Sequence, residues 1–269
     1  MNKRIIDTIN FELKKKIKKN SFIFGQNLTK GSRIAGLTNF LDKIKKSKII
    51  NTQNSENTLI GFGFGLSLMG KTAIYFAKQL DFLLLGMDHI VNTLNSLKLE
   101  KKNGNFSIIT YIVDSGYEGP QSRFHCLQEV GGISKAKCVY LVFPDDIAFN
   151  LKKINTKLFS IFCISQKYSR LEYKLKSKKI IGDGDVFKYN DGDDATIVSM
   201  GFSSYYVYDK IIKKTSSKFD FFVITNPSSN YIREILLSIK KTKKVLLFDD
   251  SRSMVKNVLS EIEMKARKQ

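Results

Sequence analysis

Residues 51–70 read NTQNSENTLIGFGFGLSLMG, with one acid, Glu56, followed by fourteen residues that carry no charge. A glutamate at a helix start is ordinary, because it favours the positive end of the helix dipole. A wholly apolar continuation implies a buried helix instead, and a buried carboxylate needs a partner. On the residues alone both readings of Glu56 stand. The chain has two histidines. His125 follows the Gly/Pro turn YEGPQSRFH, after the run SIITYIV at 107–113. A loop beyond a strand is where an α/β sheet places its chemistry, so His125 is a candidate for handling a proton or an oxyanion. His89 lies beside Asp88 in a helical stretch and reads as structural.

Three other patterns carry less chemistry. Gly61, Gly63 and Gly65 stand at alternate positions, but Leu66 and Leu68 occupy the places a dinucleotide fingerprint gives to glycine. Each helical glycine costs about 1 kcal/mol relative to alanine, so close approach of the helix to a neighbour is the expected reason for them. GDGD at 182–185 resembles the start of a Mg-diphosphate site, yet residues 209–214 read DKIIKK and offer no asparagine at the required distance. It reads as a solvated turn. Cys126, Cys138 and Cys163 lack metal-ligand spacing, so no metal site is expected in this chain. Their odd number suggests reduced thiols and a cytoplasmic protein.

These residues need a frame. Helical spacing appears at 1–20, 37–44, 58–69, 81–99 and 147–155, alternating with apolar runs at 21–25, 49–50, 72–76, 107–113, 139–143 and 158–165. That alternation indicates an α/β domain with a mainly parallel sheet over residues 1–165. The charged stretch 166–194 reads as a linker with little core. A second, smaller α/β pattern occupies 195–269, with strands at 196–200, 219–225 and 244–248 and helices at 205–213, 232–239 and 254–266.

The chain has 269 residues, 42% of them hydrophobic, which is enough for a substantial core. Its net charge is +20, but the lysines form short runs along the whole length rather than one patch. That distribution describes a solvated surface and argues against a nucleic-acid partner. No run approaches the roughly 18 apolar residues of a membrane span.

In order and spacing, several blocks resemble the β subunit of the pyruvate dehydrogenase E1 component and its thiamine-diphosphate relatives, the transketolases included. FIFGQNLTKGSRIAGLTNFL is similar to the family's GED…GG…T.GL opening, and NTQNSENTLIGFGFGLSLMG to its DTPISE block. DFLLLGMDHIVN resembles the F…A.DQ.VN helix, HCLQEVGGISKAKCVYLVFPDD the HSQ…GL.VV.P…D segment, and GDDATIVSMG the opening of the C-terminal domain. The resemblance covers roughly residues 20–250. It implies a pyrimidine-binding parallel-sheet domain followed by a shortened transketolase C-terminal-like domain. It further implies that Glu56, of the pair Ser55–Glu56, bonds N1′ of the cofactor's aminopyrimidine ring, that Phe82 packs on that ring, and that His125 faces the substrate. Such an enzyme decarboxylates a 2-oxo acid or cleaves a ketose, and passes the acyl or glycolaldehyde unit to an acceptor.

In the family, thiamine diphosphate and Mg²⁺ are held through a GDG…N motif on an α-type subunit, in an assembly of two of each chain. Four sites depart from the pattern: Gln26–Asn27, Gln53–Asn54, Leu80 and Cys126–Leu127. The chain ends soon after KVLLFDDSRSM and one more helix, and the resemblance then implies an enzyme standing outside the dehydrogenase complexes. The other readings are a split transketolase half, a scaffold that kept the fold without the chemistry, and a basic nucleic-acid binder.

Overall fold

A computed structural model describes residues 4–18, 20–44, 47–99, 104–114, 125, 127–215, 218–252 and 257–267. The turn from residue 115 onward, Cys126 and the first residues of the helix expected at 254–266 lie outside the described residues.

Six strands form the first sheet: β1 (Phe22–Gly25), β2 (Lys48–Asn51), β3 (Thr72–Ala77), β4 (Asn105–Ile112), β5 (Lys137–Leu141) and β6 (Phe159–Ser165). Their order is β2-β1-β3-β4-β6-β5, and every neighbouring pair is parallel. β4 and β6 are buried along nearly their whole length. A parallel sheet covered on both faces demands such unbroken apolar runs, which is why SIITYIV has no alternation. Helices α1 (Ile5–Lys16), α2 (Glu56–Leu68), α3 (Leu94–Leu97), α4 (Leu127–Ser134) and α5 (Pro144–Leu151) supply the cover. α1 turns Ile5, Ile9 and Leu13 inward as its spacing predicts, but Phe11 is exposed. The helix expected at 37–44 is a 3-10 turn, Asn39–Lys43.

The helix expected at 81–99 is present, but its winding changes along its length. The segment is a 3-10 turn at Leu80–Gly86, a π segment at His89–Thr93 and the short α3, joined by residues with helical dihedrals. Tight packing on α2 accounts for the changes. A Cβ on Gly86 would stand 2.4 Å from Ile60 Cδ1, and one on Gly61 would stand 2.8 Å from His89 Nε2. The chain changes its winding to pass α2, and π segments mark such adjustments.

The second sheet contains β7 (Lys179–Ile181), β8 (Val186–Asn190), β9 (Ala195–Met200), β10 (Phe219–Ile224) and β11 (Val245–Asp249), in the order β11-β9-β10-β8-β7. β9, β10 and β11 are parallel, while β8 runs antiparallel to β10 and β7 to β8. Helices α6 (Ser203–Lys210), α7 (Arg233–Thr242) and α8 (Val258–Ala266) pack on it. Residues 166–194 are therefore more than a linker, because β7 and β8 belong to this sheet.

The GDGD turn between those two strands also departs from expectation. Asp185 is buried and pairs with Lys137 of β5, while Asp183 pairs with Lys153 at 2.6 Å. Gly184 O accepts from Asn150 Nδ2 at 3.2 Å and from Thr225 Oγ1 at 2.7 Å. The turn is a clasp between the sheets. An aromatic seam runs beside it, with Phe143 within 5.4 Å of Tyr173, Tyr189 and Tyr205. Tyr205 Oη donates to Val142 O at 2.5 Å across the same boundary. Among the described residues no helix is long and apolar enough to cross a membrane.

Candidate active site

Glu56 occupies the first turn of α2, where Ser55 is the N-cap residue. Ser55 leaves the helix end uncapped, because its hydroxyl donates to Thr58 Oγ1 at 2.8 Å. Glu56 is only 9% exposed and has no hydrogen bond or ion pair among the described residues. Its charge is felt by Tyr75 on β3, whose hydroxyl pKa is driven up first by burial and then by Glu56. Tyr75 stacks on Phe24 at 5.4 Å, and Phe24 meets Phe62 of α2 edge-on at 5.1 Å. An aromatic stack thus fixes the helix start relative to the sheet.

The three glycines of α2 separate into two kinds. Gly61 lies under the His89 ring, and a Cβ on Gly63 would come within 2.3 Å of the Phe106 ring. These two permit close approach. Gly65 has nothing within 4 Å and is exposed, as are Phe62, Leu68 and Met69. The helix is therefore apolar all round but buried on one side only. Phe82 sits half-buried on the 3-10 turn that packs against α2, next to exposed Leu84 and Leu85.

The chain passes from β1 to β2 on one side and crosses back to β3 on the other, and α/β sheets bind ligands at such a switch point. A cavity of about 120 Å³ lies there, lined by Gln26, Asn27, Lys78, Gln79, Tyr111 and Gln166 among others. Val113 borders both this cavity and a larger cleft of about 390 Å³ that holds His125.

That cleft opens between the ends of β4, β9 and β11 and brings Asp114, Asp249, Asp250, Lys167 and Arg252 around the histidine. The His125 ring stacks on Phe202 at 6.1 Å and meets Tyr140 edge-on at 6.3 Å. Its carbonyl accepts from Arg252 N at 3.0 Å. Nε2 is buried without a hydrogen-bond partner, 4.0 Å from Asp250 Oδ1. Burial lowers the His125 pKa to about 4, so the ring is neutral near pH 7. Partial desolvation in the cleft, then the charges of Asp114 and Asp249, push the Asp250 carboxyl upward, to about 7, although its side chain keeps 37% exposure. A neutral imidazole with an unpartnered Nε2 beside Asp250 is placed to accept a hydrogen bond.

No protein-family model matches the sequence. Over 85 residues, 32% of this chain, it is 31% identical to the mitochondrial 2-oxoisovalerate dehydrogenase subunit beta 2 of Arabidopsis thaliana, a match spanning 23% of that relative's length. The fold is similar to a split gene transketolase solved as an inactive β4 tetramer, with a TM-score of 0.66 and 14% identity over 99% of this chain and 85% of the other. The chain has a transketolase-like fold. It is also similar to 2-oxoglutarate:ferredoxin oxidoreductase from Magnetococcus marinus, with a TM-score of 0.59 and 10% identity over 92% of this chain and 57% of that one.

In this chain, Glu56, Ser55 and Phe82 belong to elements packed on one another. His125 belongs to a different wall, the cleft facing the second sheet. Sequence reasoning missed Asp249 and Asp250. Two adjacent acids at the C-terminal end of a parallel strand were the available signal. Among the described residues no cluster of His, Cys, Asp or Glu is arranged to hold a metal.

Proposed function

We propose that this chain is the pyrimidine-binding, β-type part of a two-chain thiamine-diphosphate enzyme that cleaves the bond beside a ketone and transfers the fragment to an acceptor. The observation that carries the reading is Glu56, a largely buried residue at a helix start whose carboxylate has no hydrogen bond or ion pair among the described residues. Its oxygens are free to accept from a ligand, and a protonated ring nitrogen is such a donor. The residues present therefore fit the pyrimidine half of the cofactor. When bound, the cofactor supplies a nucleophilic carbon and an electron sink for the cleavage.

Within this chain Glu56 holds the ring proton in a water-poor setting, and the half-buried Phe82 offers an apolar surface for the heterocycle. His125, neutral at pH 7, offers Nε2 as a hydrogen-bond acceptor, with Asp250 beside it. The diphosphate and Mg²⁺ belong to an α-type partner carrying GDG…N, in an assembly of two of each chain. The exposed apolar face of Phe62, Leu68, Met69, Leu84 and Leu85 suits that partner. The likeness to a split gene transketolase inactive as a β4 tetramer supports the need for a second chain.

Similarity to the 2-oxoisovalerate dehydrogenase β subunit favours a 2-oxo acid substrate. Near-complete coverage by the split gene transketolase supports the second reading, ketose cleavage. The test is affinity purification of this chain from its own cells, mass spectrometry of what accompanies it, and assay of the reconstituted pair with 2-oxo acids and ketose phosphates. A partner carrying GDG…N, with turnover that Glu56→Gln abolishes while the fold is retained, is the expected result. Turnover undiminished in Glu56→Gln overturns the assignment.

A further inference from the structure

β11 is the outermost strand of the second sheet, and among the described residues only β9 pairs with it. Its open side is unguarded. Strands that must stay single commonly carry a lysine, a proline or a bulge along the edge, whereas the middle of β11 reads Val245, Leu246, Leu247, Phe248 and pairs with β9 in unbroken register. Leu246 is 46% exposed, and Val245, Leu247 and Phe248 are half-buried. The charges stand at the two ends, with exposed Lys243 and Lys244 before the strand and exposed Asp249 and Asp250 at its close. Neither lysine side chain has a hydrogen bond or ion pair among the described residues.

Turned end for end, the strand is its own complement. Thr196 N donates to Lys244 O at 2.9 Å, so Lys244 turns its backbone groups towards β9. Backbone groups alternate sides along a strand, so Leu246 and Phe248 also face β9, while Val245, Leu247 and Asp249 present N–H and C=O to the open edge. An antiparallel copy can hydrogen-bond only through these residues. Centred on Leu247, it sets Val245 against Asp249 of the second copy and Leu247 against its own counterpart, and each such pair exchanges both its hydrogen bonds. The same register sets Leu246 against Phe248 and, one step further out, Lys244 against Asp250. These are the closer-spaced pairs, in which apolar side chains and opposite charges attract. A centre one residue either way sets Phe248 against Lys244, or Leu246 against Asp250, and loses that match.

We propose that β11 is a docking edge for a second copy of this chain, joined strand to strand about a twofold axis at Leu247. The second sheets of the two copies then form one continuous sheet. Backbone hydrogen bonds supply the attraction, as in strand addition generally, and the Lys244–Asp250 pairs fix direction and register. A cation opposite Asp250 also favours its ionised form, which the cleft alone resists. The edge is short, so the dimer is of the weak, exchanging kind. The inference stands apart from the thiamine reading, and its test measures association alone.

The test is analytical ultracentrifugation of the full chain over a range of concentrations. A monomer–dimer equilibrium with a midpoint of about 1–100 μM is expected. Lys244→Glu should weaken it about tenfold, because like charges then oppose each other at both symmetric positions. Asp250→Lys should do the same. Mixed in equal amounts, the two variants have unlike charges at both positions again, and the mixture should associate as the wild type does. Far-UV circular dichroism confirms that each variant is folded, and Lys244→Glu, at an exposed position, decides the matter should Asp250→Lys not be. A wild-type chain still monomeric at about 500 μM, a dimer indifferent to Lys244→Glu, or a mixture of folded variants that dimerises no better than either alone overturns the proposal.

Discussion

Gly63→Ala and Gly65→Ala change the same residue type in the same helix, yet the structure assigns them opposite signs. At Gly63 the added methyl would meet Cζ, Cε2 and Cε1 of Phe106 at 2.3, 2.4 and 2.7 Å. Carbon atoms rest about 3.5–4.0 Å apart, so the ring or the helix must move by about 1 Å. The ring has little room, since it is fully buried between Phe64 at 5.0 Å and Phe159 at 5.3 Å. Such overpacking costs about 1–3 kcal/mol. With three atoms in conflict the upper end applies, and the helix gain of about 1 kcal/mol from replacing glycine leaves a net loss of about 2 kcal/mol. At Gly65 no atom lies within 4 Å, so only the gain of about 0.5–1 kcal/mol remains. Thermal and urea unfolding of the two variants beside the wild type measures both signs. A Gly63→Ala chain as stable as the wild type, or two variants moving in the same direction, would refute the packing argument.

Three further outcomes follow from the same structure. Asp185→Asn leaves Lys137 without its partner at the clasp and should cost about 3 kcal/mol in urea unfolding; a loss below about 1 kcal/mol would show the clasp to be a surface pair. Because burial holds His125 near 4, the unfolded chain binds the extra proton between about 6.5 and 4. The stability tied to neutral His125 is thus complete above 6.5 and is lost as pH falls towards 4, by about 3 kcal/mol in all. Asp250, raised to about 7, contributes in the opposite direction, losing stability as pH rises through 7. The difference between wild type and His125→Gln isolates the histidine: the wild type should lose more stability from pH 7 to 5, and parallel curves would refute its burial as the cause. Leu85→Asp, on the exposed apolar face, should weaken association with the partner chain while leaving the melting temperature unchanged; undiminished co-purification would place the interface elsewhere.

The parallel sheet was legible because its strands are buried on both faces, and only apolar runs such as SIITYIV serve there. β7 and β8 were not, because KII and VFKYN are short and each contains a lysine, and their burial comes from pairing with each other and with β10. The clasp escaped notice because the partners of Asp183 and Asp185 are Lys153 and Lys137, distant in sequence. The broken winding of 81–99 depends on how closely α2 approaches, which periodicity does not encode. In the site, Glu56 stood out as a lone acid before an apolar helix, and the structure shows it buried and without a partner among the described residues. The surroundings of His125 were hidden because they come from the end of β11, more than a hundred residues on.

β5 is the outermost strand of the first sheet, and such a strand presents unpaired amides to any passing chain. Here the second domain protects it: Tyr140 N donates to Thr225 O at 2.8 Å, just beyond β10. A polypeptide ending near residue 165 would leave that amide bare along a strand that reads KCVYL. Copies of such a fragment would have a ready template for adding strand to strand, so a gene for this fold cannot be shortened at that point without inviting aggregation.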